Sequence, residues 1–456
     1  MSKPKFRYLC RECAHESAKW VGRCPSCKAW NSIEEEAVDD RPVKRAAPSL
    51  SIDDRPVRLP DVPASGGGEV RVRTGLGELD NVLGGGLVAG SLVLVGGDPG
   101  VGKSTLLLMA ADRFGKRGLD VLYVSGEESV RQIHLRAKRL GVEGERVHLL
   151  AHTDMTHIDK IARELNPTVI VIDSVQTVHV PHVGSIPGSI TQVREVAHAA
   201  MVLAKSTGIS ILLVGHVTKS GDLAGPKVLE HVVDTVLHFE GDDRSSLRVL
   251  RAVKNRFGPA GELGVFEMVE DGLAEVPDAS ARLLRERDEG APGTAVVCTT
   301  EGSRALLAEV QALVGRPSPA TPARTCIGID RNRVLMLAAI LGKVGLAVHD
   351  RDLFVNAAGG VRLEEPAVDL GIVAAAASAL LDRPLDPRTA LFGELGLVGE
   401  VRAVPHARLR AREAARHGFR RLVVPAGADV GDVGIDVVRV RTVRDVLDAL
   451  GLGRSS

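Results

Sequence analysis

A glycine-rich stretch between an apolar run and a plausible helix carries the clearest chemistry in the sequence. Two glycines five residues apart precede Lys103 and Ser104, the pattern of a phosphate-binding loop. Glycines let successive backbone N–H groups turn toward a phosphate, and the next helix points its positive N-terminus at the same anion. Lys103 adds positive charge, and the Ser104 hydroxyl is a natural Mg²⁺ ligand. The predicted nucleotide-binding residues are Gly97, Asp98, Pro99, Gly100, Val101, Gly102, Lys103, Ser104 and Thr105.

Four cysteines near the start of the chain form two Cys-x-x-Cys pairs, Cys10 with Cys13 and Cys24 with Cys27. Thiolates at this spacing suit a tetrahedral Zn²⁺ ion with no open position, so we expect a structural zinc site. Iron in place of zinc stays open. A redox-active pair is the alternative, but it would need a thioredoxin-like βαβ setting that the sequence lacks.

The chain's two tryptophans, Trp20 and Trp30, lie in or beside this cysteine-rich module, with Lys19, Arg23 and Lys28 between them. Such a mixture suits a face for base stacking or for docking a partner. The alternative is that the two rings simply cover the cysteine turns.

Three short apolar runs after the phosphate loop, residues 121–124, 169–172 and 211–214, are separated by helical patterns and so predict a parallel sheet. Polar residues follow each run and should meet at one edge of that sheet. Asp173 is placed to hold the Mg²⁺ shell, although a carboxylate here could also cap a helix. Glu127 or Glu128 can deprotonate the attacking water.

Further polar groups at the same edge are His216, Thr218 and Lys219, any of which could sense the γ-phosphate. Lys254-Asn255-Arg256-Phe257-Gly258 follows a run with strand-like alternation. Lys254 and Arg256 therefore project from the same side of an extended chain. On an isolated subunit they would be two surface cations.

Length and composition limit the possible classes of protein. A chain of 456 residues predicts two or three domains, because single cores stop growing at roughly 250 to 300 residues. The formal net charge is zero, so any site for a polyanion must be a local basic patch. Apolar runs stay short of the roughly 18 residues that span a bilayer, and the first residues lack a signal-peptide pattern, so we expect a cytoplasmic protein without a membrane partner.

Composition shifts along the chain predict its domains. We expect a four-cysteine zinc finger over residues 1–34, a flexible linker over 35–70, a nucleotide-binding domain over 71–276, a charged bridge over 277–293 and a second α/β domain over 294–456. Within the second domain, residues 305–314 are expected to be helical. Residues 178–192 and 220–230, rich in Pro, Gly and Ser, are expected to be flexible loops.

The lead-in from Thr74, the phosphate loop and the three strand ends resemble the core of the RecA-type ATPases. Together with the cysteine module and the Lys-Asn-Arg-Phe-Gly motif, nearly the whole chain resembles the RadA (Sms) family of bacterial DNA repair proteins. The resemblance implies an α/β RecA-like core, a parallel sheet flanked by helices, behind a zinc-ribbon-like module. It also implies that Glu127 is the catalytic carboxylate and that Lys254 and Arg256 reach the γ-phosphate of a neighbouring subunit.

By the same resemblance, the two flexible loops line a central channel and grip a DNA backbone through Lys219, Lys227 and Arg194. The residues alone show only loops with few cations, so an ordered loop without a ligand is the competing interpretation.

The stretch from Asp352 to Pro425 resembles the proteolytic domain of Lon. A Lon peptidase needs a serine nucleophile and a lysine base. Here Ala367 stands at the nucleophile position and Arg408 near the lysine position, and a guanidinium cannot be deprotonated. Ser378 lies in an apolar helix, a poor place for a nucleophile. We therefore expect an inactive peptidase fold kept for assembly or for DNA binding through a basic stripe of Arg402, Arg408, Arg410, Arg412, Arg416, Arg420 and Arg421.

These features predict a DNA-dependent ATPase for recombinational DNA repair and the response to DNA damage, using ATP, Mg²⁺ and Zn²⁺. We expect a ring, hexameric by resemblance, that moves on single-stranded DNA and remodels branched recombination intermediates beside the recombinase RecA. Lys103 would hold the β and γ phosphates, and Ser104 and Asp173 the Mg²⁺. The alternatives are an ATP-switched DNA-binding scaffold that does not translocate and, disfavoured by the missing serine and lysine, an ATP-dependent peptidase.

Overall fold

The computed structural model describes residues 5–10, 15–17, 19–38, 58, 71–215, 229–241, 246–316, 322–348 and 350–453. The chain divides into two compact units, which are described separately below. The first comprises Met1–Gly241 and Arg248–Glu275, and the second comprises Asp242–Leu247 and Val276–Ser456.

At the start of the first unit, the described residues form a small antiparallel sheet in the order β2-β1-β3. Its strands are β1 (Lys5–Cys10), β2 (Glu16–Ser17) and β3 (Ile33–Val38). β1 and β3 pair along their whole length, from Lys5 opposite Val38 to Cys10 opposite Ile33. Strand β3 thus continues past residue 34, where the sequence predicts that the linker begins. Of that predicted linker, residues 39–57 and 59–70 lie outside the described part.

The nucleotide-binding region is built on one large sheet. Its described strands follow the order β14-β13-β12-β11-β6-β10-β9-β7-β8. The strands from β11 to β8 in that order run parallel, whereas β12 is antiparallel to β11. A short ladder of β4 (Arg71–Val72) and β5 (Leu87–Val88) lies before it in the chain. The sheet strands are β6 (Leu92–Gly97), β7 (Val121–Ser125), β8 (Val147–Ala151), β9 (Val169–Asp173), β10 (Ser210–Val214), β11 (Thr235–Gly241), β12 (Leu247–Asn255), β13 (Leu263–Val269) and β14 (Gly272–Glu275).

Helices cover both faces of this sheet, which explains why its central strands are apolar throughout. Side chains of β6 alternate between two cores: Val93 and Val95 face one, and Leu92 and Leu94 face the other. The helices are α1 (Gly77–Leu83), α2 (Lys103–Lys116), α3 (Val130–Arg139), α4 (Met155–Leu165) and α5 (Ile190–Thr207). The predicted parallel sheet flanked by helices is confirmed.

In the second unit, the described strands form a mixed sheet in the order β17-β18-β16-β15-β19-β22-β23, with a separate hairpin of β20 and β21. The strands are β15 (Thr294–Glu301), β16 (Arg304–Val314), β17 (Arg324–Ile327), β18 (Leu353–Ala357), β19 (Thr389–Leu391), β20 (Glu394–Leu395), β21 (Val401–Arg402), β22 (Arg421–Pro425) and β23 (Asp436–Val440). The helices are α6 (Ala279–Leu284), α7 (Arg331–Lys343), α8 (Asp369–Leu381), α9 (Ala407–Arg416) and α10 (Val443–Ala449). Two short 3₁₀ turns, Ala358–Gly360 and Pro366–Val368, also occur.

Two sequence predictions are corrected or extended here. Residues 305–314 were expected to be helical, but they lie in strand β16, which pairs with β15 on one side and β18 on the other. The alanines and leucines of this segment favour a helix locally, and the ladders on both sides override that preference. The segment predicted as a bridge, 277–293, contains α6 and falls within the second unit.

Candidate functional site

The phosphate loop lies between β6 and α2, and β6 is flanked by β10 and β11 near the middle of the sheet. At Gly97 (φ 153°), a Cβ atom would lie 2.2 Å from the backbone oxygen of Phe239 on the neighbouring strand. Only glycine allows this close approach. Among the described residues, no side chain caps the first turn of α2, whose N-cap is Gly102. Its backbone N–H groups therefore remain available to an anion.

Lys103 is buried and lies against the loop. Its Nζ donates to the carbonyl oxygens of Gly97 at 2.7 Å and Asp98 at 2.8 Å. Burial lowers the pKa of Lys103 to about 8, although the negative charges of Asp173, Asp98 and Glu127 oppose the shift. The three carboxylates thus favour the charged form of Lys103. A phosphate bound in the loop would favour that form further.

Asp173 is the last residue of strand β9 and lies at one end of a series of polar contacts that runs from the buried sheet to partly exposed side chains. Its Oδ2 accepts a hydrogen bond of 2.7 Å from the hydroxyl of Tyr123, in β7. That hydroxyl in turn accepts from Arg136 at 3.3 Å, and the other terminal nitrogen of Arg136 pairs with Glu128 at 2.6 Å. Burial, reinforced by the charge of Asp173, raises the pKa of Tyr123 well above its usual value. The tyrosine therefore stays protonated and donates a hydrogen bond to Asp173.

Glu127 and Glu128 are neighbours in sequence but have different partners. Glu127 Oε1 accepts from the hydroxyl of Ser174, the residue after Asp173, at 2.7 Å. Glu128 is instead paired with Arg136. The turn that separates them from β7 is tight, because a Cβ on Gly126 would lie 2.2 Å from Thr177 Oγ1. The structure thus brings Glu127 and Asp173 to the same strand ends, beside Lys103.

Lys254 and Arg256 lie at the other end of the sheet. Thr235 is opposite Val93 of β6 and also opposite Asn255 of β12, whereas Phe239 is opposite Gly97. The two cations therefore flank the beginning of β6, and the phosphate loop follows its end. Through β11, Lys254 is level with Leu94 and Arg256 with Leu92, so they lie about 10 Å and about 17 Å before Gly97 along β6 at the usual rise per residue.

Each cation is held by its own chain at that position. Lys254 Nζ donates to the carbonyl oxygens of Glu230 and Val233, the latter at 2.9 Å. Arg256 pairs with Asp234 at 3.3 Å, and Asp234 also accepts from Lys205 at 2.8 Å. Burial, and then the positive charge of Arg256, lowers the pKa of Lys254.

Only part of the two predicted loops lies among the described residues. His216, Thr218, Lys219 and Lys227 lie outside the described residues. Arg194 is exposed on α5. Residues 178–192 were predicted to be a flexible loop, but residues 190–192 begin α5, and the buried side chain of Gln192 bonds to the backbone of Val180, Val183 and Ser185 at 2.9–3.3 Å. This segment is therefore irregular but anchored.

The zinc module brings together the three predicted ligands that the structure describes. Cys10 Sγ lies 3.5 Å from Cys27 Sγ, and both lie within 4.8 Å of the Cys24 sulfur. A tetrahedral Zn²⁺ with bonds of about 2.3 Å would place its sulfurs about 3.8 Å apart, so this cluster fits the ion. Cys13 lies outside the described residues. Trp20 and Trp30 are 57% and 69% exposed, so both rings remain accessible, and the Arg23 guanidinium lies 5.5 Å from the Trp30 ring centre.

Curated relatives cover the chain from end to end. The DNA repair protein RadA of Bacillus subtilis (strain 168) is 47% identical, over 98% of this chain and 99% of its own. RadA of Streptococcus pyogenes serotype M1 is 48% identical over 99% and 100% of the two chains, and RadA of Pseudomonas aeruginosa is 45% identical over the same shares. The chain belongs to the RadA family.

Family models match three parts of the chain. Residues 54–222 match an AAA domain, residues 8–35 match a rubredoxin metal-binding domain, and residues 322–428 match subunit ChlI of Mg-chelatase. The predicted RecA-like core, zinc ribbon and Lon-like domain of the RadA family are thereby confirmed as the fold class. A KaiC-like protein from Pyrococcus horikoshii OT3 matches 46% of this chain and all of its own, with 19% identity and a TM-score of 0.39. None of the helices in the described part is both long and apolar enough to cross a membrane.

In the second unit of this RadA-family chain, the positions that would be catalytic in Lon hold other groups. Ala367 is buried, and Arg408 points outward and pairs with Asp429 at 2.6 Å. The hydroxyl of Ser378 is buried, donates to the carbonyl oxygen of Arg383 at 2.5 Å and accepts from the N–H of Gly293 at 2.8 Å. The Ser378 hydroxyl is thus engaged both as a donor and as an acceptor inside its own unit.

The predicted basic stripe is wrong in part, because one of its arginines is buried and several others form ion pairs. Arg410 is fully buried, pairs with Glu365 and donates to the carbonyl oxygen of Cys298 at 2.7 Å. Acidic residues pair with four other members: Glu400 and Glu413 lie two and three residues from their partners, and Asp429 and Asp436 lie further along the chain. These pairs are Arg402 with Glu400, Arg408 with Asp429, Arg416 with Glu413 and Arg421 with Asp436.

Replacing Arg410 with methionine should strongly destabilise the second unit. Burial raises the pKa of Glu365, but the hydrogen bond and charge of Arg410 outweigh this and hold that pKa below its usual value. Without Arg410 the partly buried Glu365 carboxylate keeps its hydrogen bonds from Thr299 and Thr300 but loses its counter-charge, and we expect the free energy of unfolding to fall by about 3 kcal/mol at pH 7. The deficit should shrink as the pH falls, because burial without Arg410 raises the pKa of Glu365 in the variant, which is then protonated first, and the wild type loses its ion pair at a lower pH.

Urea unfolding at several pH values measures this effect. Arg408→Met is the matched control, because it removes an exposed arginine of the same helix that is also paired, and its stability should be nearly that of the wild type. Equal losses for the two variants would show that the buried pair is not what holds this region together.

Proposed function

We propose that this chain is a DNA-dependent ATPase that acts as a ring-shaped motor on single-stranded DNA. Its membership of the RadA family and its AAA domain support a role in DNA repair that involves ATP hydrolysis. In the proposal, the ring drives branch migration of recombination intermediates beside RecA, in the cytoplasm. The Lon-like unit serves assembly or DNA binding and has no peptidase activity.

The position of Lys254 and Arg256 carries the proposal. Both lie at the opposite end of β6 from the phosphate loop of their own chain. In the described residues of one chain, these two cations therefore lie away from the loop, Glu127 and Asp173. A second copy that presents its Lys254 and Arg256 to this loop would complete the site, and closed repetition of that contact forms a ring.

The residues at the strand ends then have distinct roles in the reaction. Lys103 and the loop N–H groups bind the β and γ phosphates, and Ser104 and Asp173 are the residues that would hold Mg²⁺. The ion, when bound, neutralises charge on the phosphate oxygens. Glu127, oriented by Ser174, accepts a proton from water as the water oxygen bonds to the γ-phosphorus and the bond to the β–γ bridging oxygen breaks. Lys254 and Arg256 of a neighbour stabilise the charge that develops on the phosphates.

Replacing Tyr123 with phenylalanine tests the positioning of Asp173. The change removes the hydrogen bond of 2.7 Å to the carboxylate and preserves the buried ring. A hydrogen bond to a charged group is worth about 1.5–3 kcal/mol, so the Mg²⁺ concentration for half-maximal ATP hydrolysis should rise about tenfold or more. The rate at saturating Mg²⁺ should change much less. Tyr8→Phe, in the zinc module, is the control, and an unaltered Mg²⁺ dependence in Tyr123→Phe would contradict the assigned role.

ATP hydrolysis with and without single-stranded DNA tests the motor itself. We expect DNA to raise turnover in the wild type and Lys103→Ala to abolish it. Movement is measured separately, as ATP-dependent branch migration of a synthetic joint molecule. A protein that binds DNA in an ATP-dependent way but neither gains turnover from DNA nor moves a joint would be the non-translocating scaffold instead.

A further inference from the structure

We propose that Asp278, Glu413 and His417 form a second metal site, for a divalent transition metal with zinc as the best match. The site lies entirely within the second compact unit, far along the chain from the cysteine cluster. Asp278 is the N-cap of α6, and Glu413 and His417 lie four residues apart near the end of α9. The two helices therefore supply one carboxylate each, and α9 adds an imidazole.

The distances between the three donor atoms match the geometry of the ion. His417 Nε2 lies 3.1 Å from Glu413 Oε1 and 3.4 Å from Asp278 Oδ1, and all three atoms lie within 4.8 Å of one another. Zinc bonds of about 2.1 Å in a tetrahedron place neighbouring donors about 3.4 Å apart. Imidazole with carboxylates is a zinc donor set, and three protein ligands leave the fourth position for water.

A cation already lies where the donor atoms converge. The Nη2 atom of Arg416 is 2.9 Å from Glu413 Oε1, 3.0 Å from His417 Nε2 and 3.6 Å from Asp278 Oδ1. The positive guanidinium thus occupies the point at which the two carboxylates and Nε2 of His417 converge, where a bound metal ion would lie. The Arg416 side chain is 58% exposed, so a metal ion could displace it into solvent at small cost.

Hydrogen bonds from neighbouring groups also orient the two carboxylate ligands, as they do in metal centres. The hydroxyl of Ser280 donates to Glu413 Oε1 at 2.6 Å, and the same hydroxyl accepts from the backbone N–H of Leu307 in β16 at 3.0 Å. Asp278 is fixed by the N–H of Ala281, which donates to its Oδ1 at 2.9 Å. A bound metal would therefore fasten the start of α6 to the end of α9, on a support provided by the sheet.

Zinc content of the full-length protein, dialysed against buffered free Zn²⁺, tests the site. The wild type should hold one zinc ion more than Asp278→Asn and His417→Ala, whose cysteine clusters are intact. Asparagine is an effective N-cap, so Asp278→Asn removes the ligand and preserves the helix start. Zinc should also raise the melting temperature of the wild type by more than that of these two variants, which share only the effect of the cysteine cluster. Equal zinc content in the wild type and both variants would overturn the proposal.

The arginine provides a sharper test, because it should compete with the metal. Arg416→Ala is expected to bind the additional zinc on the order of tenfold more tightly than the wild type, since no ion pairs must be broken. Arg412→Ala removes an exposed arginine of the same helix and should leave the affinity as it is. If Arg416→Ala and Arg412→Ala have the same zinc affinity, the cluster is a network of ion pairs and not a metal site.

Discussion

Replacing Lys254 or Arg256 with alanine is expected to lower kcat for ATP hydrolysis by roughly 10³- to 10⁵-fold, the range measured for cations supplied in trans. ATP binding to the isolated subunit should change little. The reason is positional: both side chains bond to their own backbone or to Asp234 at the beginning of β6, and the phosphate loop follows its end. Their loss therefore leaves the loop of the same chain intact.

Mixing two inactive variants distinguishes action in trans from a structural role. Lys103→Ala lacks the phosphate lysine but presents a normal Lys254, whereas Lys254→Ala has the complementary defect. Mixed assemblies contain some interfaces that combine the intact loop of one chain with the intact cations of the other. The mixture should recover measurable turnover, in the presence of single-stranded DNA, that neither variant shows alone.

Arg251→Ala is the matched control for this experiment. It removes another cation from β12, one that lies near Glu240 of its own chain at 3.8 Å, and turnover should stay near that of the wild type. Full activity of Lys254→Ala would remove the argument for a site shared between subunits. Failure of the mixture to recover, with both variants still assembling, would mean that Lys254 acts within its own chain.

The sequence predicted the fold well where a single local pattern determines it. The apolar runs at 121–124, 169–172 and 211–214 form buried parallel strands. A central strand of such a sheet has its backbone groups hydrogen-bonded to both neighbours and its side chains buried on both faces, which suits a continuous apolar run. The helix predicted for residues 305–314 was wrong, because these residues are good helix formers but lie in β16. There the decisive contacts come from β15 and from β18, some forty residues further on, and no local pattern records them.

The candidate site shows the same division. The sequence predicted that the phosphate loop, Asp173 and either Glu127 or Glu128 lie at neighbouring strand ends, because polar residues follow the apolar runs there, whereas the choice of Glu127 came only from the family resemblance. Tyr123 and Arg136 were missed, because a tyrosine within an apolar strand resembles core and an arginine on a helix resembles surface. Their pairing with Asp173 and Glu128 depends on β7 lying beside β9. A hydroxyl in an otherwise apolar run was the one available signal, since buried tyrosines need a hydrogen-bond partner.

Replacing Glu127 with glutamine should lower kcat by roughly 10²- to 10⁴-fold, the usual contribution of a general base. Glutamine has the size of glutamate and can still accept from Ser174, so the turn after β7 should keep its shape. It cannot take a proton from water. ATP binding and its Mg²⁺ dependence should therefore persist, and ATP should remain bound without turnover. Nucleotide binding and single-turnover hydrolysis measure the two effects separately.

Glu128→Gln is the neighbouring control, because its carboxylate pairs with Arg136 at 2.6 Å and reaches the site only through Tyr123 and Asp173. Loss of its charge should loosen that chain of contacts and raise the Mg²⁺ concentration for half-maximal hydrolysis, as Tyr123→Phe does, while most of the rate at saturating Mg²⁺ is retained. The ratio of the two variants' kcat values thus separates a proton acceptor from a positioning group. If Glu128→Gln loses the larger part of the rate, the two adjacent carboxylates have the opposite roles, and the bond from Ser174 to Glu127 serves the turn and not the water.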